Sequence, residues 1–488
     1  MVIKQQQIKN SIIYLIPVAV GNLIPIATLS IFTRILTKED YGILALAQVY
    51  AIFVTGIANF GLTIGYERNF FEYRTSKQDL GLLYSTLFFV ITAFLICAII
   101  TYLFRSSLSK WIIGLTTQGN FLFWTFCSTG IVGLKNYYLI YFKNTENAKD
   151  FAWYTIDETI LGALLALFFV WYGRIGVIGL VWGQLIASLV IFSVLSLKFL
   201  KLHPIEFNWS ALRNSLMISY PLTPRIFLGV IGNQFDKYMI GLMNNVGGVG
   251  VYSIGQKISN IVFTFMTAIQ NVFSPQVYSR MFDLGSRGGE SIGRYLTPFA
   301  YMSVFVALLI SLFAEEVITV LTPPSYHSAT QIVMILSMFY ATMFFGKQPQ
   351  LIFVKKTYVT SLLTLLSIIL NILINIPFIL KWGAIGAAWG TFSAGIISGV
   401  IAFMVSQHFY EIKWEYKKMA FIFGTFFISS LLLSIMLSTG FHYGIRFLFK
   451  WVALAVYLYI GVQVEVITKD NIFLIKNMLN ANGYCLSK

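Results

Sequence analysis

Apolar runs separated by short polar connections recur along the whole of this 488-residue chain. A helix needs about 20 apolar residues to cross the hydrocarbon core of a bilayer. On that measure the pattern predicts fourteen crossings, at 11–33, 42–66, 80–104, 120–142, 152–172, 175–197, 214–241, 249–274, 295–321, 328–354, 358–380, 383–407, 419–439 and 444–465. The first run follows Lys4 and Lys9, as the apolar segment of a signal peptide would. It continues to Thr33 with no small-residue cleavage site, and so reads as the first crossing. No connection is long enough for a separate soluble domain. The pattern predicts an all-α polytopic membrane protein.

Composition agrees. Hydrophobic residues make up 57% of the chain and charged residues 11%, with a mean hydropathy of +0.76, too little polar surface for a soluble fold of this length. The formal net charge of +15 comes from basic residues scattered singly between apolar runs. That arrangement reads as loop charge, and it excludes a nucleic-acid surface. Laid on alternate sides from a cytoplasmic N-terminus, with Lys135, Arg446 and Lys450 counted among the connection charges, 22 of the 34 Lys and Arg fall inside, 8 outside and 4 within crossings. The bias predicts cytoplasmic termini and an even number of crossings. Cys97, Cys127 and Cys485 offer no disulfide framework, and His203, His327, His408 and His442 are too far apart for a metal site. With no phosphate-binding glycine loop and no nucleophile constellation, the sequence predicts no catalytic residue, metal or cofactor.

The chain also repeats itself at a spacing near 205 residues. NSIIYLIP (10–17) answers to NSLMISYP (214–221), YGILALAQ (41–48) to VGVYSIGQ (249–256), and GVIGLVWG (176–183) to GAIGAAWG (383–390). Three matches in one order predict a duplication of six crossings each. An even number per half makes the repeats parallel, related by an axis along the membrane normal, a transporter design with its site between the repeats. The predicted division is 1–205, 206–410 and 411–488, the last holding two extra crossings and a tail. The small residues of the third motif read as close helix packing, with Trp182 and Trp389 at equivalent positions.

The stretch TRILTKEDYGILALAQ (33–48), after a first crossing that carries Asn22 and Pro25, resembles the start of the Wzx-type polysaccharide flippases, within the multidrug/oligosaccharidyl-lipid/polysaccharide exporter superfamily. The second-half echo VGVYSIGQKI (249–258) and the layout of six, six and two crossings agree. The resemblance implies two six-helix bundles exposing a cavity to each face in turn. It implies as substrate an undecaprenyl-pyrophosphate-linked oligosaccharide, moved from the cytoplasmic to the outer leaflet of the cell membrane for surface polysaccharide such as lipopolysaccharide or capsule. A coupling proton or sodium ion, contact with membrane lipids and a polysaccharide polymerase partner are compatible with it.

The candidate chemistry is a set of charges inside apolar runs. In YPLTPRIFLGVIGNQFDKYMIGLM (220–243), Arg225 falls near the middle of the seventh crossing and Asp236 and Lys237 near its outer end. Lys257 lies within the eighth crossing, Lys347 near the inner end of the tenth, and Arg34 closes the first. A cation at mid-membrane costs about 2.5–3.5 kcal/mol on insertion scales, so it faces an interior and serves a function. Arg225, Lys257, Lys237, Lys347 and Arg34 are therefore the candidate contacts to a pyrophosphate, with Arg able to engage phosphate oxygens bidentately. The competing reading is a structural ion pair or a side chain snorkelling to water. Pro221 and Pro224 predict a bend in the seventh crossing. Asp236 reads as a neutralising partner of Lys237. Asp157 and Glu158 read as a solvated interfacial pair, with one of them a candidate for a coupling ion, and Glu315 and Glu316 read as interfacial. A lipid II flippase would share the basic interior, a cation-coupled drug exporter would need acidic groups there, and a membrane glycan polymerase would need a large outer loop, which is absent.

Overall fold

A computed structural model describes the backbone of residues 2–466 except 76–77, 203–204, 221–222 and 348. The side chains of residues 2–12, 14, 15, 74, 75, 202, 225, 226, 233, 271, 272, 275, 286, 347 and 357 lie outside the description. Every regular element among the described residues is helical. Contacts group the chain into one unit of Met1–Ser253, Thr319–His327 and Ile376–Ala387, and another of Ile254–Ile318, Ser328–Asn375 and Ala388–Lys488.

The first unit takes in α1 (Val2–Ile35), α2 (Lys38–Asn59), α3 (Leu62–Thr75), α4 (Asp79–Leu103), α5 (Arg105–Ile112), α6 (Gly119–Asn144), α7 (Ala148–Leu167), α8 (Ile178–Leu202), α9 (Trp209–Ser219), α10 (Thr223–Met243) and the start of α11 (Val246–Leu284). Within it α6 and α7 both pack on α8, and α2 packs on α6 and α10. The second unit holds the rest of α11, then α12 (Gly288–Leu312), most of α13 (Ala314–Leu321), α14 (Ala329–Thr342), α15 (Gln350–Phe353), most of α16 (Thr357–Phe409), α17 (Tyr416–Ser438) and α18 (Tyr443–Gln463). There α17 and α18 both pack on α12, α18 through Tyr301 and Tyr457, whose rings stack at 4.8 Å while each hydroxyl donates to the other residue's carbonyl.

Ten described helical stretches are long and apolar enough to cross a membrane, and the chain is a multi-pass membrane protein. The stretch 358–409 belongs to α16, whose 53 residues would extend about 80 Å as one rod, far more than a bilayer core. It breaks at Gly383, which sits at φ 57°, in the left-handed region that glycine tolerates. Gly176, its counterpart in the repeat, also has positive φ, at 72°. Elsewhere the boundaries differ from expectation. The second run ends at Asn59, because Phe60 and Gly61 both turn left-handed and start α3 on a new course. The seventh run is covered by α9 and α10, and Pro221, on which the expected bend partly rests, lies outside the described residues.

The duplication is visible in local geometry at one crossing. Thr37 caps α2 by accepting from the Asp40 amide at 3.1 Å, and Asn245 does the same for the Gly248 amide at 2.6 Å at the start of α11. Immediately after these caps the two helices touch backbone to backbone. A Cβ on Gly42 would stand 1.8 Å from the Val246 carbonyl oxygen, and one on Gly250 would stand 1.9 Å from the Lys38 carbonyl oxygen. Lys38 and Val246 are equivalent in the repeat, as are Gly42 and Gly250, so the contact is reciprocal, as across a two-fold axis.

Gly42→Ala and Gly250→Ala should each cost about 1–3 kcal/mol, because the obstructing atom is backbone and cannot swing aside. Gly56→Ala should be tolerated, since its nearest neighbour is a Phe227 ring atom at an ordinary 3.7 Å. Thermal unfolding of the three purified variants in detergent checks this, and an unchanged melting temperature in Gly42→Ala would refute the close crossing.

Candidate functional site

Charges within apolar helices need partners or water, and the first unit supplies partners for one pair in full. Lys135 on α6 and Glu158 on α7 form an ion pair whose side chains are only 4% and 7% exposed. The pair meets through one carboxylate oxygen of Glu158. The other oxygen accepts from Ser188 at 2.7 Å and from the Gln184 amide at 3.2 Å, both on α8. Three helices thus converge on one carboxylate. Glu158 is therefore not half of a solvated pair: it turns inward while Asp157 faces outward, exposed. A helix that exposes one residue turns the next by about 100°, which is how adjacent acids part company. Lys135, counted among connection charges in the sequence, belongs to this buried cluster.

A second ion cluster lies in the other unit. Glu315 receives Arg446 at 2.6 Å and Lys450 at 2.9 Å, and Glu316 receives Lys450 at 2.6 Å. The Lys450 side chain is fully buried. These acids tie α13 to α18 and are not merely interfacial, and Lys450 likewise sits inside a helix rather than in a connection. Removing Lys135 and Lys450 from the loop tally takes one residue from each side and leaves the direction of the charge bias unchanged.

The remaining candidates are distributed along several helices. Asp236 on α10 is buried and accepts from the Tyr252 hydroxyl at 3.0 Å, while the half-buried Lys237 donates to Gln234 at 3.1 Å. Arg225 occupies the first turn of α10; its side chain lies outside the described residues. Since α10 alone is 21 residues, roughly 30 Å, Arg225 stands near the start of a full-length helix and not halfway along one. Lys257 is exposed, three turns into α11. Arg34 is exposed in the last turn of α1, beside Thr33, which donates to the Leu321 carbonyl at 2.8 Å. Lys347 ends a short 3₁₀ stretch, Met343–Lys347, and its side chain lies outside the described residues. No group of three or more His, Cys, Asp or Glu able to hold a metal occurs among the described residues.

The family model described as "Polysaccharide biosynthesis protein" matches residues 31–331. The probable low-salt glycan biosynthesis flippase Agl15 of Haloferax volcanii is 23% identical over 197 residues, 38% of this chain and 41% of that protein. The chain thus matches about two fifths of the length of that curated relative. The solved lipid II flippase MurJ, in an inward closed conformation, superposes with a TM-score of 0.71 at 15% identity, over 94% of this chain and 100% of that one. An inward-facing multidrug resistance MATE family transporter of the MOP superfamily gives 0.60 at 14%, over 81% and 97%. At such identities these two likenesses are of fold. The family match agrees with the resemblance read from residues 33–48 and 249–258.

Breaking the Lys135–Glu158 pair from one side strands a buried charge, so Lys135→Met or Glu158→Gln should cost about 3–5 kcal/mol, whereas the double variant should recover most of that. Folded yield and melting temperature measure the pattern. Transport by the stable double variant then reports on Glu158: normal turnover means the pair is structural, and a stable but inactive protein means the carboxylate takes part in coupling.

Proposed function

Because this chain belongs to the polysaccharide biosynthesis protein family, we propose that it is a flippase for a lipid-pyrophosphate-linked oligosaccharide, moving it from the cytoplasmic to the outer leaflet by alternating access. The observation that carries the reading is Lys257, an exposed cation about 17 Å along an apolar helix. An exposed ammonium at that depth calls for water and a polar passage rather than lipid. Of the acids inside the helices, Glu158 is engaged by Lys135, Glu315 and Glu316 by Arg446 and Lys450, and Asp236 by Tyr252, while Asp157 faces outward. That sign pattern suits an anionic substrate and disfavours a cationic drug. A pyrophosphate entering the passage exchanges part of its hydration for these cations.

Each basic residue takes a position counted along its own helix and oriented with both termini in the cytoplasm. Lys347 and Arg225 fall toward the cytoplasmic side, Lys257 at mid-depth, Lys237 toward the outside and Arg34 at the outer end. Arg225 also lies in the first turn of α10, at the helix end whose dipole favours anions. We take the layout to be fourteen crossings in segments 1–205, 206–410 and 411–488, in the cytoplasmic membrane. Coupling to a proton or sodium ion and handover to a polysaccharide polymerase belong to the same proposal. A lipid II substrate carries the same pyrophosphate and is the second reading, supported by the extent of the structural likeness to MurJ.

Arg225→Ala and Lys257→Ala should each lower transport per folded molecule by about 10–100-fold, the worth of one charge-assisted phosphate contact. Arg225→Lys should keep part of the activity, since charge survives and fork geometry does not. Reconstituted vesicles carrying a lipid-pyrophosphate-linked oligosaccharide in one arm and lipid II in another measure this and separate the two substrates. Full activity per molecule in both alanine variants would remove these residues from the path. A reporter fused after Lys488 should be active in the cytoplasm only, and activity outside would overturn the orientation.

A further inference from the structure

A helix that faces lipid exposes apolar side chains, as α4 does with Leu95, Ile99 and Leu103 and α16 with Leu362, Ile369 and Leu373. The long helix α11 does the opposite. Among the described residues it exposes no large apolar side chain from 246 to 281, and the exposed positions over that length are Lys257, Asn260, Gln276 and Ser279. The sequence shows why. Lys257, Asn260, Thr264, Thr267, Asn271 and Ser274 recur at alternating steps of three and four residues. At about 100° per residue those steps keep all six positions within one arc of about 100°, and no apolar residue of 257–274 falls inside it. The opposite side of the helix is packed, with Ile258, Val262, Met266 and Phe273 buried.

Polar groups within a bilayer are costly unless they meet water, protein or a ligand. A polar stripe about 25 Å long, on a helix with no exposed large apolar side chain over that length, is therefore the lining of a polar passage. Its chemistry changes along the helix. Lys257 supplies one positive charge. The five positions after it are neutral, and add nothing against the charge of a pyrophosphate. They carry instead what a sugar needs. Asn260 is exposed and offers an amide that both donates and accepts, and the half-buried Thr264 offers a hydroxyl. The Thr267 hydroxyl donates to the Phe263 carbonyl at 2.9 Å and keeps its oxygen to accept. Asn260 follows Lys257 by three residues and Thr264 follows Asn260 by four, so each pair stands about 5–6 Å apart at Cβ on one face.

We propose that this face of α11 is the sugar track of the passage: Lys257 holds the anionic linkage, and Asn260 and Thr264 bond hydroxyls of the monosaccharide attached to it. The inference rests on the flippase reading above and names the groups that recognise the head of the substrate. A face that bonds particular hydroxyls also selects among sugars, because a head lacking one leaves an amide or hydroxyl unpaired. Asn260 and Thr264 are thus specificity-determining residues.

The test compares sugar-free undecaprenyl pyrophosphate with the same lipid carrying a disaccharide, hexose-first in one preparation and N-acetylhexosamine-first in another. Binding is measured on the full-length protein in detergent, and transport per folded molecule in vesicles. The wild type should bind at least one disaccharide form about tenfold more tightly than the sugar-free lipid, and move it. Asn260→Leu keeps the volume and Thr264→Val the shape, and neither position is fully buried, so melting temperatures should stay at the wild-type value. Each variant should weaken that disaccharide form about three- to tenfold, the worth of a neutral hydrogen bond, and leave the sugar-free lipid bound as before. Lys257→Ala should weaken every form. The proposal fails if the wild type binds no disaccharide form more tightly than the sugar-free lipid, or if both variants keep wild-type affinity and transport. It fails too if they weaken the sugar-free lipid by as much, which is the behaviour of a stripe that only wets the passage. In each of these cases a wild type that moves a disaccharide form leaves the flippase reading standing. A wild type that moves none of the lipids overturns the flippase reading, and the track with it.

Discussion

A charge inside a membrane-crossing helix has two affordable states, neutralised by a partner or wetted by a passage, and the distribution of these states orders the molecule. Lys135 and Glu158 take the first. Their carboxylate collects a lysine, a serine and a glutamine from α6 and α8, so both of its oxygens are engaged and the pair can sit almost wholly out of solvent. Lys450 does the same in the second unit between two glutamates. Such pairs add little net stability compared with an apolar core, but they fix which helices meet and in what register, because any other arrangement strands an ion. Lys257 is exposed on α11. Its exposed head on α11 is the kind of charge that a packed helix bundle would not carry without a wet surface to face.

Backbone contact imposes the other constraint. Where α2 meets the start of α11, two glycines equivalent in the duplication let carbonyl oxygens approach within what would be bonding distance of a side chain. Lipid offers no hydrophobic drive for one helix to bind another, so close approach, dispersion and weak backbone contacts must supply it. Small residues at paired positions are the means. The same economy explains the third repeat motif. Its first glycine, Gly176 or Gly383, takes a left-handed turn. Its last, Gly183 or Gly390, lies where a Cβ would strike the Ala166 backbone or Asn375.

Much of this was legible in the sequence because the bilayer imposes a length and a composition that local windows detect. Apolar runs, the cytoplasmic charge bias and the repeat spacing needed no knowledge of contacts. The repeat motifs even contain the residues that touch, Gly42 and Gly250, although nothing in either motif says that they face each other. Three things were not legible. Phe60 adopts a left-handed conformation that non-glycine residues disfavour, so no propensity marked the end of α2 there. The prolines at 221 and 224 signalled a disturbance but not that Arg225 falls in the first turn of a full-length α10 rather than midway along a crossing. Finally, Lys135 looked like a loop charge and Glu158 like a solvated one, because the partner of a buried ion is set by helix packing and leaves no trace at fixed sequence spacing.

The sorting of charges also bears on how such a molecule handles a substrate with unlike parts. A lipid-linked oligosaccharide has an apolar tail, an anionic linkage and a neutral, hydroxylated head, and no single lining suits all three. Cations that would hold the linkage would also hold water around the sugar, and amides that match the sugar would not offset the desolvation of a pyrophosphate. Of the candidate cations, the exposed Arg34 and Lys257 lie on α1 and α11, and a neutral cavity lies among α2, α4 and α6. Lys135 turns to Glu158 while its neighbours Leu134 and Asn136 line the cavity. The buried pair and the neutral pocket are thus two faces of one helix.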